Sequence, residues 1–340
     1  MVSLSDIARD VKLNVSVVSR ALSPNPQQNA KVKPETRERI LQTAQRLNYV
    51  PNRQASFMGR KGNATIFCFM PLTSDRLTAD LMYGISEAAR SENFPVTFFQ
   101  GSLNEDFRRF FNELDDRSHS GVISFPSLAL SDDLKDMLKL YAQRRNTLVL
   151  LNPNTNSSKG LLEDEYSSIT QVIMDDAYGG RLAARHLWEQ GCSTFCFTYL
   201  PGQPFRHRLK GFQEFLAEKG IEVISFDKPE ALKSILAGDE KVGIYADRDV
   251  HALNMLIHLA RLGVTPGERV LLVGNDDKQQ SRFSEPTLTT VHQPMRKEGA
   301  IAVKKLINLI FGGVEDNEFV KPHLIVRQSS GNMSEEYIIE

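Results

Sequence analysis

Residues 3–22 read SLSDIARDVKLNVSVVSRAL, and a polar stretch, SPNPQQNAKVK at 23–33, separates them from a further helix-like run. Ser3-x-x-Asp6 has the form of a capping box in its acidic variant. It stands ahead of apolar Leu4, Ile7, Ala8 and Val11, which predicts a first helix of about two and a half turns. Asn14 suits the N-cap of a second helix, in which Val18, Ala21 and Leu22 share one face while Val15, Ser16, Ser19 and Arg20 occupy the other. A short helix with one buried face and one small-polar face ending in Arg, reached by a three-residue turn, is what a helix-turn-helix reader of DNA requires. Its first side chains must be short enough to approach base edges, and its flanks must hold phosphates. Pro34 opens a third helix, with Ile40, Leu41, Ala44 and Leu47 facing inward and Arg37, Arg39 and Arg46 outward. Pro51 ends it. Asn52 suits the cap of a short fourth segment that stops at Gly59 and Gly62, and a helix of about eight residues is marginal alone in water, so this segment is conditional.

The whole chain has 340 residues, too many for one small core, and its 41% hydrophobic and 24% charged composition is that of a soluble globular protein. Apolar runs such as ATIFCFM and TLVLLN fall far short of the roughly 18–20 residues of a membrane helix, and no secretory signal opens the sequence, so a cytoplasmic protein is expected. Cys68, Cys192 and Cys196 lie inside apolar runs, as reduced core thiols do, rather than in a disulfide or metal pattern. The net charge of −1 hides an asymmetry. Residues 1–62 hold eleven Lys and Arg against four Asp and Glu, a formal +7, which leaves −8 for the remainder. A basic head on an acidic body fits either a polyanion partner or a solvated basic face.

The fragments LSDIARDVKLNVSVVSRAL, VKPETRERI and LNYVPNRQA, followed by Met58-Gly59, resemble in order the headpiece of the LacI/GalR family of bacterial transcription repressors. The resemblance implies that Val15, Ser16 and Arg20 enter the DNA major groove, that Asn52 and Arg53 begin a hinge helix in the minor groove, and that Met58 matches the hinge leucine that wedges between base pairs. Ser3, Asn14, Ser19 and Ala55 complete the expected DNA-contacting set. Three features depart from the family. Val11-Lys12 replaces the usual Ala-Gly of the turn, Lys33 stands where a Ser usually caps the third helix, and the 23–33 connection is several residues longer.

From residue 64 onward, short apolar runs (ATIFCFM, VTFFQ, GVISF, TLVLLN, QVIM, TFCFTYL, EVISF, KVGIYA, RVLLVGN) alternate with amphipathic stretches. This rhythm predicts parallel α/β architecture with helices on both faces, in which ligands bind beyond the carboxyl ends of the strands. Arg76 and Asp80 follow the first run, and Asn152, Arg206, Arg208, Arg248 and Asp276 follow later ones. Guanidiniums and a carboxylate converging on a cleft suit a small polyhydroxylated or anionic ligand. The resemblance extends over this body. It implies that Arg208, within RHRLKGF, holds the effector, that Asp276 binds sugar hydroxyls or a purine, and that Gln293 and Met295 occupy cleft positions. Arg248-Asp249 stands where the family has Asn-Asp or Gly-Asp. The cation there either marks an acidic or phosphorylated effector or pairs with Asp247 or Asp249.

No nucleophile elbow, Walker loop or H-E-x-x-H motif occurs, and adjacent Asp276-Asp277 and Asp175-Asp176 carry diverging side chains, so no catalytic residue, metal site or cofactor is expected. The expected fold is a small all-α helix-turn-helix headpiece plus an α/β two-subdomain periplasmic-binding-protein-like body. The headpiece spans 1–50 and a hinge helix and linker span 51–62. An effector-binding and dimerisation domain fills 63–340, with an N-subdomain over about 63–165 and 293–320 and a C-subdomain over about 166–292 and 321–332. Such a protein is a cytoplasmic, nucleoid-associated regulator, a homodimer that binds pseudo-palindromic double-stranded operator DNA and a small-molecule effector and has no membrane partner. Two other readings share the body: a solute-binding receptor without a DNA role, and an α/β enzyme with a DNA-binding head. The first has no use for a basic headpiece, and the second lacks an active-site constellation.

Overall fold

The computed structural model describes residues 2–23, 26–47, 49, 65–73, 75–114, 120–126, 131–145, 147–153, 169–199, 206–331 and 336–340. The expected hinge 51–62, with Asn52, Arg53, Ala55 and Met58, lies outside the described residues, as do residues 157–168.

The headpiece is built from helices Leu4–Val11, Val15–Ala21 and Pro34–Arg46, with a one-turn helix Pro26–Asn29 inside the long connection. Ile7, Ala8, Val11, Val18, Ala21, Val32, Ile40 and Ala44 form its core, and Leu22 and Leu47 pack against it. Val32 therefore anchors the far end of the 23–33 connection. Both halves of the capping box form: Asp6 N–H donates to Ser3 Oγ at 3.3 Å, and Ser3 N–H donates to Asp6 Oδ2 at 2.9 Å. Arg39 Nη2 donates to the Val11 carbonyl at 3.5 Å and Arg46 pairs with Asp10 at 2.5 Å, so the third long helix ties down the first.

Three details differ from simple expectation. Asn14 holds the N-cap position but its side chain makes no capping hydrogen bond; its backbone carbonyl takes up the Val17 and Val18 N–H groups instead. Leu41 is only half-buried, and Thr43 takes its inward place. Lys12 closes the first helix in the left-handed region, at φ 53° and ψ 45°, where the family pattern has glycine. Its N–H still reaches the Ala8 and Arg9 carbonyls, so the turn keeps its hydrogen bonds at the cost of strain.

The body contains two sheets. The first has the order β11-β5-β4-β3-β1-β2 and is parallel throughout, with β1 Ile66–Pro71, β2 Val96–Gly101, β3 Gly121–Ser124, β4 Leu148–Leu151, β5 Thr170–Met174 and β11 Glu318–Val320. The second has the order β13-β12-β10-β9-β8-β6-β7, with β6 Thr194–Thr198, β7 Val223–Phe226, β8 Val242–Ala246, β9 Val270–Asn275, β10 Thr289–His292, β12 His323–Val326 and β13 Tyr337–Ile339. β12 runs antiparallel to both its neighbours, β10 and the edge strand β13, so the body is not purely parallel.

All nine apolar runs are strands, whereas β10 to β13 were not anticipated. QVIM, which the sequence reading groups with the second subdomain, is the fifth strand of the first sheet, because its backbone pairs with β4 and β11. The chain therefore leaves the first lobe at Asp175, ten residues later than expected from the boundary near 165. It returns after His292 and crosses again between Val320 and His323.

Helix Met295–Ile310 lies on the first sheet against helix Arg76–Ser91, and helix Asp176–Glu189 lies on the second against helix Arg206–Ala217. The second pair crosses at Gly180 and Gly211, where a Cβ on either residue would strike the backbone of the other helix. That close approach sets Arg208 beside Asp176. The free thiols of Cys68, Cys192 and Cys196 are all buried, and burial pushes the latter two up to about 12.

Replacing Lys12 by Gly relieves about 1–2 kcal/mol of left-handed strain and adds about 0.5–1 kcal/mol of unfolded-chain entropy. Relief wins, and Lys12→Gly is expected to stabilise the headpiece by about 0.5–1 kcal/mol, seen as a higher midpoint for its thermal transition by circular dichroism. A lowered midpoint contradicts the strain.

Candidate DNA-facing headpiece and interlobe cleft

On helix Val15–Ala21 the two faces divide as their chemistry requires. Val18 and Ala21 are fully buried, whereas Ser16, Ser19 and Arg20 are exposed and Val15 keeps 40% of its surface open. Leaving a valine open beside two hydroxyls and a guanidinium forgoes roughly 1–2 kcal/mol of burial. Such a face has one apolar contact, two small hydrogen-bonding groups and one phosphate- or guanine-binding fork. Asn14 is exposed at the same helix end, and Ser3 is exposed but engaged in the capping box. Lys12 is exposed in the turn before this helix, and Lys31 and Lys33 are exposed in the turn between helices Pro26–Asn29 and Pro34–Arg46.

The second candidate site lies where the strand ends of the two sheets meet. Arg208 is 4% exposed; its Nε donates to Asp176 Oδ1 at 2.9 Å, and its Nη1 donates to the Asp247 carbonyl oxygen and to Asp276 Oδ1 at 3.4 Å. Burial works against its charge, and the Asp176 and Asp276 carboxylates more than offset that, so Arg208 stays ionised. Asp276 Oδ1 also accepts from Gln293 Nε2 at 3.1 Å and Asn275 Nδ2 at 3.2 Å. Burial lifts the Asp276 carboxyl to about 7 despite Arg208.

Asp276 sits at φ 121°, Asp277 at φ 48° and Asn152 at φ 41°, each at a strand's carboxyl end. Such backbone costs about 1–3 kcal/mol per residue and collects at ligand sites. The neighbouring Asp277 turns the opposite way, to Arg327 at 2.7 Å, His292 at 3.0 Å and Arg282 at 3.2 Å. Those partners outweigh its burial and hold it well below the ordinary carboxylate range.

The remaining sequence-predicted residues fall into three groups. Asn152 bridges the lobe interior, accepting from the Met174 N–H at 2.7 Å and donating to Glu298 Oε1 at 2.7 Å. Met295 is 4% exposed and packs into the first lobe's apolar core, Arg206 is exposed, and Arg248 is half-buried at the N-cap of helix Asp249–Arg261. The carboxylates flanking Arg248 serve other partners: Asp247 takes His251, and Asp249 takes Ser281, Thr290 and the Lys278 N–H. Arg76 and Asp80 form part of a clasp between lobes. Arg76 Nη2 donates across to the Asp277 carbonyl at 2.5 Å and the Asp276 carbonyl at 3.1 Å, while its Nη1 holds Asp80 at 2.8 Å. Lys278 reaches back from the second lobe to Asp75 at 3.2 Å.

Sequence reasoning missed Glu298, which is fully buried and lifted to about 8 by burial, with the Asn152 hydrogen bond opposing and the Asp176 charge adding. Helical spacing held the signal: Met295, Glu298, Ala302 and Leu306 share one face, on which a carboxylate is out of place. An acid whose folded value lies above its unfolded value binds more protons when folded, so stability falls as pH rises through that window. For Glu298 the window runs from the ordinary 4.5 to about 8, and Asp276 adds a loss of the same sign up to about 7. Glu298→Gln is expected to lessen the fall in melting temperature between about pH 5 and 8 by the share that Glu298 carries. An unaltered profile contradicts the buried acid.

Residues 3–52 match the family model described as bacterial regulatory proteins, lacI family, and residues 184–330 match the periplasmic binding protein-like domain. The chain is 26% identical to the catabolite control protein A of Priestia megaterium, over 97% of this chain and 99% of that protein. It is also 26% identical to a ribose operon repressor of Halalkalibacterium halodurans, over 91% of each. Its fold is similar to that of the lac repressor dimer bound to operator and an anti-inducer (TM-score 0.64, 21% identity, 97% of this chain and 99% of that one) and to a CelR–cellobiose complex (TM-score 0.63, 24% identity, 97% and 100%). With a headpiece whose reading face is open and a two-lobed body behind it, the chain joins a lacI-family regulatory domain at residues 3–52 to a periplasmic binding protein-like domain at residues 184–330.

Proposed function

We propose that this protein is a transcriptional repressor that binds a pseudo-palindromic operator as a homodimer, in the bacterial cytoplasm at the nucleoid, under the control of a small polyhydroxylated effector held between its lobes. The observation that carries the reading is the division of helix Val15–Ala21: Val18 and Ala21 hold the headpiece together, which leaves Val15, Ser16, Ser19 and Arg20 open to a groove. Two such helices related by a two-fold axis meet successive major grooves, so the operator repeats the protein's symmetry. Val15 suits a thymine methyl and Ser16 a single base-edge hydrogen bond, while Arg20, Lys12 in the preceding turn, and Lys31 and Lys33 ahead of the third long helix serve phosphates or guanine. Asn52, Arg53, Ala55 and Met58 would read the minor groove between the half-sites.

For the effector, Arg208, Asp276 and Gln293 form a fixed hydrogen-bonding set at the strand ends, Arg206 and Arg248 stand at the rim, and Asn152 and Met295 lie beneath. Ribose and cellobiose appear in the names of relatives, which supports a sugar or sugar derivative as the effector class. No helix among the described residues is long and apolar enough to cross a membrane. An effector alters operator affinity only by its differential affinity for two lobe arrangements, typically about 1–3 kcal/mol.

Selection of duplexes from a random pool by the intact protein, followed by gel shift, tests the reading. A palindromic consensus should emerge, with affinity falling steeply as salt rises. Arg20→Ala should cost about tenfold or more in affinity with unchanged thermal unfolding. Failure of the intact protein to retain any duplex at low salt contradicts it.

A further inference from the structure

The deep part of the cleft holds more carboxylate than its cation can balance. Asp176 and Asp276 contact Arg208, Asp247 offers it a backbone carbonyl, and Glu298 lies within reach of the Asp176 charge; the side chains of Asp176, Asp247 and Asp276 are 22%, 1% and 6% exposed, and Glu298 is 0% exposed. The two contacting carboxylates, Asp176 and Asp276, already take up the guanidinium's charge. Two oxygens remain without a hydrogen-bond partner although they are wholly removed from solvent: Asp247 Oδ2 and Glu298 Oε2. A buried acceptor left unmade costs about 1–3 kcal/mol, more when charged, and such atoms in a folded protein call for a donor that arrives from elsewhere.

The two come from opposite lobes. Asp247 follows β8 in the second, and Glu298 lies in the first turn of helix Met295–Ile310 in the first, beside Asn152 at the end of β4. A donor reaching both would bridge the lobes. The rest of each group is already fixed, Asp247 by His251 and Glu298 by Asn152, so each oxygen is held ready by its own side chain.

We infer that the effector carries a cationic nitrogen, as an amine-bearing polyol does, which donates to Asp247 and Glu298 while its hydroxyls meet Arg208, Asp276 and Gln293. This rests on the proposed effector cleft and deepens it. An anionic effector, which Arg248 at the rim suggests from sequence alone, must instead bring a further negative charge against Asp176, Asp247 and Asp276 in a dry site, where like charges repel strongly. A neutral sugar supplies hydroxyl donors but leaves the excess charge in place. An ammonium group supplies both donors and charge, and charge-assisted hydrogen bonds are roughly twice as strong as neutral ones.

The test uses matched hexoses on the full-length protein, with melting temperature as the readout. Glucosamine, galactosamine and mannosamine form the cationic arm, their N-acetyl derivatives the neutral arm of similar shape, the parent hexoses a second neutral arm, and gluconate and glucose 6-phosphate the anionic arm. At least one amine sugar should stabilise the protein at a concentration about tenfold or more lower than its N-acetyl and parent counterparts. Asp247→Asn and Glu298→Gln should each shrink that preference, while gel shift on the selected operator without ligand stays within about twofold of wild type.

The inference is overturned if neutral or anionic sugars stabilise the protein and the amines do not, if the amine preference survives in both variants, or if no amine sugar has any effect at millimolar concentration. Operator binding that persists in any of these cases leaves the repressor reading standing, so the two failures are distinguishable.

Discussion

Among the described residues, Arg76 with the carbonyls of residues 276 and 277 and Lys278 with Asp75 hold one lobe against the other. The chain passes between its sheets three times, after Met174, after His292 and between Val320 and His323, and these neighbouring crossings restrict the lobes to rotation about a common hinge. Within that hinge motion the clasp fixes the angle. Both contacts are only partly buried, with Arg76 38% and Lys278 27% exposed at the side chain, so each is worth little more than a surface pair, about 0–1 kcal/mol. A ligand bridging the lobes needs to contribute only that order of energy to override them. The clasp is therefore weak enough to be regulated and specific enough to define a resting state.

The same residues join the clasp to the cleft. Arg76 holds the backbone of Asp276, whose side chain meets Arg208, Asn275 and Gln293. The strained φ of 121° at Asp276 is sustained from both sides: a guanidinium on its carbonyl and three donors on its carboxylate. Any ligand that competes for the carboxylate also loads the peptide that the other lobe grips. Asp277, turned to Arg327, His292 and Arg282, anchors the following residue, so displacement at 276 is passed to the crossing strands rather than absorbed in a loop.

Much of this was legible in the sequence, for particular reasons. The headpiece follows from period-3.6 apolar spacing and a capping box, both local signals. The nine long apolar runs are strands because central parallel strands are buried on both faces and must be apolar throughout. Four short strands escaped: threonine-rich β10 (TTVH) and three-residue β11 and β13 carry no such run, and four-residue β12 runs antiparallel between β10 and β13. The first boundary between lobes was misplaced because QVIM states that it is a strand but not which sheet supplies its partner. Lys12 was flagged by its departure from glycine, and the backbone there is left-handed as the turn demands. The cleft was legible as strand-end polar residues, with Arg208, Asp276 and Gln293 brought together. Arg76 and Asp80 went instead to the clasp, and Glu298 was invisible to a search confined to strand ends because it projects from a helix.

If lobe arrangement governs DNA binding, loosening the clasp alone must be felt at the headpiece. The direct measurement is the operator affinity of an Arg76→Ala, Lys278→Ala double variant in the absence of effector, with the melting temperature confirming an intact fold. A change of about fivefold or more from wild type is predicted, the lower end of typical coupling energies. An affinity within about twofold of wild type, in a protein that unfolds normally, contradicts the coupling.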